Sequence, residues 1–439
     1  MKRILLLTAI TFLILSCTVN DDWMGTTEIA KWQDGKRAAI SITYDDASIN
    51  QFRQALPIMD TLGFRGTFFI NTADIPGSEF PPKHIGRPIY EIVKETGQTP
   101  TTQANLFERA SALRFLDIPG AISSHNSAGT LYENEKVDEA CKVVDDAFAE
   151  ARRKKAGLRK TIELLDEHIT WPELEEFAGR GHEIANHTIS HPRLAVLDEV
   201  NLLYELEKCK EEIRNKLGTE HTFSAECPFG TENEREMEYA YKVHPALRNR
   251  MPEPFLEEIN RWSKMNPGES NKEYVQFQRG PLQKTPMELM KSWVDTLLMH
   301  DNVWLVLTFH GVDGVGWEAK PHEELKEYFT YMKEKEHNLW VTPFRDATRY
   351  MRERMHGKVL VKEKGDNIIL SLTHTLDRDL YNLPLTLKTY VPEEWGSVEV
   401  VQGKNNQTVQ SSSDDAGAYV QYQARPNGED IVLTNKKSR

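Results

Sequence analysis

From residue 36 to residue 356, short apolar runs alternate with amphipathic stretches of helical spacing. This alternation restricts the chain to an α/β architecture built on a parallel sheet, open or closed into a barrel. Strand-like runs occupy residues 38–44, 66–70, 182–187, 223–227, 303–309 and 339–344. The stretches at 51–62, 198–217, 287–299, 323–336 and 345–355 read as helices, with Pro57 expected to kink the first. In the stretch 198–217, Leu202, Leu206, Cys209, Ile213 and Leu217 recur at helical spacing, and Gly218 stops it. Thr170-Trp171-Pro172-Glu173 has the form of a capping box, with proline in the first turn.

Two regions depart from the alternation. Residues 73–165 read as an insertion, too long for a plain loop and expected to carry its own helices. Beyond Gly357 the pattern becomes short β-like runs separated by turns, which predicts a small β-sandwich over 357–439. The expected division is therefore a leader at 1–16, a tether at 17–35, an α/β body at 36–356 with its insertion, and the β-rich tail.

The N-terminus reads as an address. Lys2 and Arg3 precede an apolar segment too short to span a bilayer, and the segment ends Ile14-Leu15-Ser16-Cys17. This resembles the lipobox of bacterial lipoproteins, which implies lipidation of Cys17 and attachment to a membrane of the bacterial cell envelope. Thr18 points to the outer membrane or surface. With Cys17 lipidated, Cys141, Cys209 and Cys227 remain, which allows at most one disulfide. The 54 basic against 67 acidic residues give a net charge of −13, which argues against nucleic acid as a partner.

Four chemistry-bearing motifs each close a strand-like run, the end at which α/β sheets build sites. Thr43-Tyr44-Asp45-Asp46 places two carboxylates at a strand end. His187-Thr188-Ile189-Ser190-His191 spaces two imidazoles i, i+4, expected to meet on one face of a helical turn and suited to a metal. Cys227-Pro228-Phe229-Gly230 is a turn able to aim a backbone N–H into a pocket, and Phe309-His310-Gly311 supplies a histidine that titrates near neutrality.

Together, in this order, the motifs resemble those of the NodB-homology polysaccharide deacetylases (carbohydrate esterase family four), over roughly residues 36–355. The resemblance implies a distorted (β/α) barrel and removal of N- or O-linked acetyl groups from an extracellular glycan. It implies that Asp46, His187 and His191 hold one divalent metal, usually zinc, with cobalt or nickel also fitting the ligand set. Asp45 is then the general base and His310 the general acid. The N–H of Phe229, beside Pro228, helps the metal stabilise the oxyanion.

The sequence also departs from the family pattern. Glu226 stands where the family has an arginine that orients the base, and is expected to raise the pKa of Asp45 by repulsion. Arg279 is the expected replacement. The family's Asp-x-x-Asp-Trp region has no match. Trp317 is the leading candidate for stacking on a sugar, with a core position as its alternative, and Asp313 either contacts a sugar hydroxyl or forms the turn. His84 and His125 read as surface residues. Two other readings stand beside deacetylation: a carbohydrate-binding lipoprotein without turnover, and a metal-dependent hydrolase of a non-acetyl substrate.

Overall fold

The computed structural model describes residues 23–159, 167–230 and 233–436, so the leader segment and Cys17 lie outside the described residues. The chain divides into two units. One comprises residues 31–356 and 375–383; the other comprises residues up to 30, 357–374 and 384–439. The short strand β1 (Thr27–Ile29), in the stretch expected to be a tether, pairs within the second unit.

The first unit holds a nine-stranded sheet of β2 (Ala38–Asp45), β3 (Thr67–Ile70), β4 (Glu183–Asn186), β5 (Ser224–Ala225), β6 (Ala246–Leu247), β7 (Leu256–Ile259), β8 (Tyr274–Arg279), β9 (Val303–Phe309) and β10 (Leu339–Val341). Every pair is parallel, in the order β6-β5-β4-β3-β2-β9-β8-β7. Opposite β9, β2 pairs with β10 along its first residues and with β3 along its last. The sheet therefore splays at its centre, and among the described residues β6 and β7 do not pair, so it is a distorted, unclosed (β/α) barrel.

All eight residues of β2 are buried, as a strand covered on both faces requires. Side chains leave a strand on alternate faces, and this divides the packing in two. Ala38, Ile40, Ile42 and Tyr44 join Val303, Leu305, Leu307 and Phe309 in the core beneath the surrounding helices. Ala39 and the opposite faces of β3 and β9, through Phe69, Trp304 and Val306, enter a second core with Phe344 and Met351. Asp45 shares the parity of Ala39, which directs it to that second face.

Around the sheet run α1 (Leu56–Thr61), α2 (Ile89–Glu95), α3 (Leu106–Leu113), α4 (Ala121–Glu133), α5 (Val137–Lys154), α6 (Trp171–Gly179), α7 (Glu199–Leu217), α8 (Glu234–Val243), α9 (Met287–Leu298), α10 (His322–Lys333) and α11 (Phe344–His356). Pro57 lies in the first turn of α1, where its missing N–H costs nothing, and a π-helical turn at Gln51–Ala55 precedes it. The Thr170–Glu173 capping box is formed, and Asp198 caps α7 through the N–H of Asn201. The insertion forms α2–α5 around its own apolar cluster, centred on Leu106, Leu113, Val144 and Phe148.

The second unit contains two antiparallel sheets. One is β1-β13-β17-β16, with β13 (Leu385–Tyr390), β16 (Ser412–Asp414) and β17 (Gly417–Ala424). The other is β11-β12-β18-β14-β15, with β11 (Lys358–Lys364), β12 (Asn367–Thr373), β14 (Ser397–Gln402), β15 (Asn405–Gln410) and β18 (Ile431–Asn435). Along β12 and β17 burial alternates residue by residue, so each sheet has one apolar face. Cys141, Cys209 and Cys227 are buried, and among the described residues no disulfide is formed.

Candidate active site

The C-terminal ends of β2, β4, β5 and β9 converge on one set of polar side chains. β2 ends with Asp45 pointing inward, and Asp46 then takes a left-handed backbone (φ 74°) that turns the chain. This reversal lets two adjacent carboxylates serve one site. Asp46 Oδ1 lies 3.4 Å from His187 Nε2 and 3.3 Å from His191 Nε2. One donor atom from each of these three residues falls within 4.8 Å of the others.

The histidines do not lie on a helical turn. Their segment is an irregular loop in which Thr188 (φ 72°) and His191 (φ 52°) are left-handed, and the loop curls so that the rings meet edge to face at 4.9 Å. Local hydrogen bonds hold it. Thr188 N donates to Asn186 Oδ1 (2.7 Å), His191 N to Thr188 Oγ1 (3.0 Å), and Ser190 N and Oγ to Glu205 (2.9 and 2.6 Å). Arg114, which ends α3 of the insertion, donates to Glu205 (3.1 Å) and to Ser190 Oγ (3.0 Å). The insertion thus braces the loop that carries both histidines.

The donor set fits a divalent metal. Nδ1 of buried His187 lies 2.9 Å from the backbone oxygen of Glu226. A carbonyl can only accept, so Nδ1 carries a proton and the Nε2 lone pair is left to face Asp46 and His191. One carboxylate and two imidazoles form a three-ligand set with positions left open for water and substrate.

Asp45 is held by an arginine that the sequence reading missed. Arg248 Nη1 and Nη2 donate to its two carboxylate oxygens, each at 2.6 Å, and Nη1 also donates to Thr43 Oγ1 (2.7 Å). Arg248 Nη2 lies 3.0 Å from Glu226 Oε1, so one buried guanidinium faces two buried carboxylates. Burial raises the proton affinity of Asp45, but the Arg248 charge and hydrogen bonds outweigh it and hold the group well below the usual carboxylate range. Glu226 goes the other way: burial and the Asp45 charge exceed the pull of Arg248 and push it up. The repulsion expected to raise Asp45 is therefore carried by Glu226.

Arg279, expected to restrain Asp45, lies on the wrong face for it. Phe277 faces the helix-covered core, Gln276 and Gln278 face inward to donate to Arg248 O, and Arg279 follows the parity of Phe277. Its guanidinium stacks over the Phe277 ring and donates to the carbonyls of Gln278, Asn260 and Ser263.

His310 follows β9 with Nε2 3.5 Å from Asp45 Oδ2. Gln51 Nε2 donates to the carbonyls of both Asp45 (2.5 Å) and His310 (2.7 Å), which ties the two strand ends together. Burial lowers the His310 pKa, against the opposing Asp45 charge. Trp317 meets the His310 ring edge-on at 4.6 Å and is 54 % exposed, so it is no core residue. Phe229, left-handed at φ 67° in the turn after buried Pro228, packs edge-on against His191 at 4.7 Å. Asp313 accepts from His322 N (2.8 Å) and so anchors the start of α10. His84 and His125 stand apart from the metal ligands. His125 is fully buried with Nδ1 2.9 Å from Ala110 O, and burial drops its pKa to about 3.

With this geometry in place, the chain can be set beside the known proteins that it resembles. The polysaccharide deacetylase family matches residues 135–261. The matched segment contains His187, His191, Phe229 and Arg248, and the sheet brings Asp45, Asp46 and His310 to it from outside. A gellan lyase of Bacillus sp is 24 % identical over 253 residues, which are 51 % of this chain and 10 % of that protein. The chain therefore spans about a tenth of the curated relative that it matches. Among solved structures, a putative polysaccharide deacetylase from Mycobacterium smegmatis aligns at 13 % identity and a TM-score of 0.37, covering 76 % of this chain and 96 % of that one. The family 4 carbohydrate esterase PdaA of Bacillus subtilis aligns at 10 % identity and a TM-score of 0.32, covering 74 % and 83 %.

Proposed function

We propose that this protein is a metal-dependent deacetylase that hydrolyses N- or O-acetyl groups of an extracellular glycan at the site formed by Asp45, Asp46, His187, His191 and His310. The observation that carries this reading is the pairing of two neighbouring carboxylates with different partners. Asp46 stands with two histidines and is available as a ligand, and Asp45 is clamped by Arg248 beside His310. A base and a ligand are thus separated within one dipeptide.

Asp46, His187 and His191 would hold the metal, zinc being the best match to this donor set. Once bound, it would supply Lewis acidity, lowering the pKa of a water molecule and polarising the acetyl carbonyl. Asp45 stays ionised because Arg248 stabilises its charge, and it is oriented to accept a proton from the attacking water. His310 carries the return proton to the departing amine or alcohol; burial lowers its pKa, and the nearby Asp45 charge opposes that fall. The products are acetate and a deacetylated sugar. The sequence supports an address at the cell envelope, with Cys17 as the lipid attachment point.

The test is acetate release by residues 18–439 from acetylated chitooligosaccharides, peptidoglycan and acetyl-xylan, with added zinc and with chelator. The expected result is zinc-dependent release that Asp45→Asn abolishes. Release that survives chelation or Asp45→Asn refutes the proposal.

A further inference from the structure

Arg261 stands beside the Pro228-Phe229-Gly230 turn of this site. It follows β7, and its side chain crosses Gly280 and ends against the Pro228-Phe229-Gly230 turn. A Cβ added at Gly280 would lie 3.1 Å from Arg261 Cδ, and one added at Gly230 would lie 2.9 Å from Arg261 Nη2. The guanidinium is near enough to Glu226 and His310 to lower the proton affinity of both. Its stem therefore lies over the end of β8, and its head lies beside the turn that carries Phe229.

Two neighbouring arginines are neutralised. Arg248 faces Asp45 and Glu226, and Arg193 is paired with Glu133. Arg261 makes no hydrogen bond or ion pair among the described residues. An arginine without an ion pair beside a catalytic pocket marks a place where negative charge is welcome. Trp262, the next residue in the chain, is 71 % exposed, and Trp317, edge-on to His310, is 54 % exposed. An aromatic face beside a guanidinium suits a sugar ring that carries a carboxylate, by stacking and by a forked, charge-assisted hydrogen bond.

We propose that Arg261 forms an anion-recognising subsite, and that the glycan is acidic, with a carboxylate-bearing sugar next to the acetylated residue. This inference rests on the deacetylase reading for the position of the pocket, but its test does not depend on turnover.

The probe is an oligosaccharide of alternating neutral and uronic acid residues, compared with the same oligosaccharide after its carboxyl groups are reduced to primary alcohols. Calorimetric titration into the zinc-loaded full-length mature protein gives the two affinities. The expected result is a preference for the acidic form of about tenfold, equivalent to ~1.4 kcal/mol. Arg261→Gln should bring the ratio close to one, Arg261→Lys should keep part of it, and raising the salt should shrink it. Equal affinities in the unsubstituted protein, or a preference unchanged in Arg261→Gln, overturns the proposal. A preference that depends on Arg261 without any acetate release supports the subsite and counts against deacetylation alone.

Discussion

Replacing Arg248 with glutamine removes the one guanidinium that faces both Asp45 and Glu226. Asp45 and Arg248 are each at most 4 % exposed, so water cannot substitute for the lost charge. Removing one partner of a buried pair costs about 3–5 kcal/mol, because the other charge stays behind without compensation. For a unit of this size that is a fall of about 4–7 °C in Tm. The pH dependence identifies the cause. The folded pKa of Asp45 lies below its unfolded value, so its stabilisation is present above the unfolded value of about 4 and is lost as pH falls through the folded one. The difference in Tm between Arg248→Gln and the unsubstituted protein should therefore be full at neutral pH and narrow in acid. In the same variant the acid limb of kcat/KM should move to higher pH, because Asp45 then protonates more readily. Arg248→Lys should keep part of the stability but lose the forked geometry. Thermal unfolding from pH 3 to pH 8, with the pH–rate profile, checks both. An unchanged Tm together with an unmoved acid limb refutes the assignment of Arg248 as the residue that holds Asp45.

Other consequences follow from the same neighbourhood. Arg114→Met should weaken zinc binding by about 10–100-fold in calorimetric titration, since it removes a brace of the histidine loop rather than a ligand. Glu226→Gln should cost less stability than Arg248→Gln. Relative to the unsubstituted protein it should gain as pH rises through the raised Glu226 value, because a carboxyl with a raised folded pKa loses its stabilising contribution there. Unfolding curves across that range would show the crossing.

Much of the site is legible in the sequence because its residues are local. Asp45 and Asp46, His187 and His191, Phe229 and His310 each end or directly follow an apolar run, and parallel strands bring such ends to one edge. The partner of Asp45 was not legible. Arg248 follows β6, a strand of two residues that leaves no periodic trace, and its contact to Asp45 spans 203 positions of sequence. The neighbouring β7 places Glu257 and Glu258 between its apolar ends, which further obscures the pattern. Arg279 was expected to replace the family arginine beside Asp45, yet the alternation of β8 excludes it. It shares a face with Phe277, an apolar residue of the helix-covered core, while the site lies on the face of Gln276 and Gln278. The i, i+4 histidines misled in a different way. Their spacing suits a helix, but the left-handed Thr188 and His191 show that a loop can bring the same two rings together.

The division of labour between Asp45 and Asp46 is the centre of this account, and paired measurements of zinc stoichiometry and acetate release test it most directly. Asp45→Asn should bind one equivalent of zinc and release no acetate, whereas Asp46→Ala should lose both zinc and activity. If Asp45→Asn loses its zinc, or if Asp46→Ala keeps zinc and turnover, the two carboxylates do not have the roles that their partners assign to them.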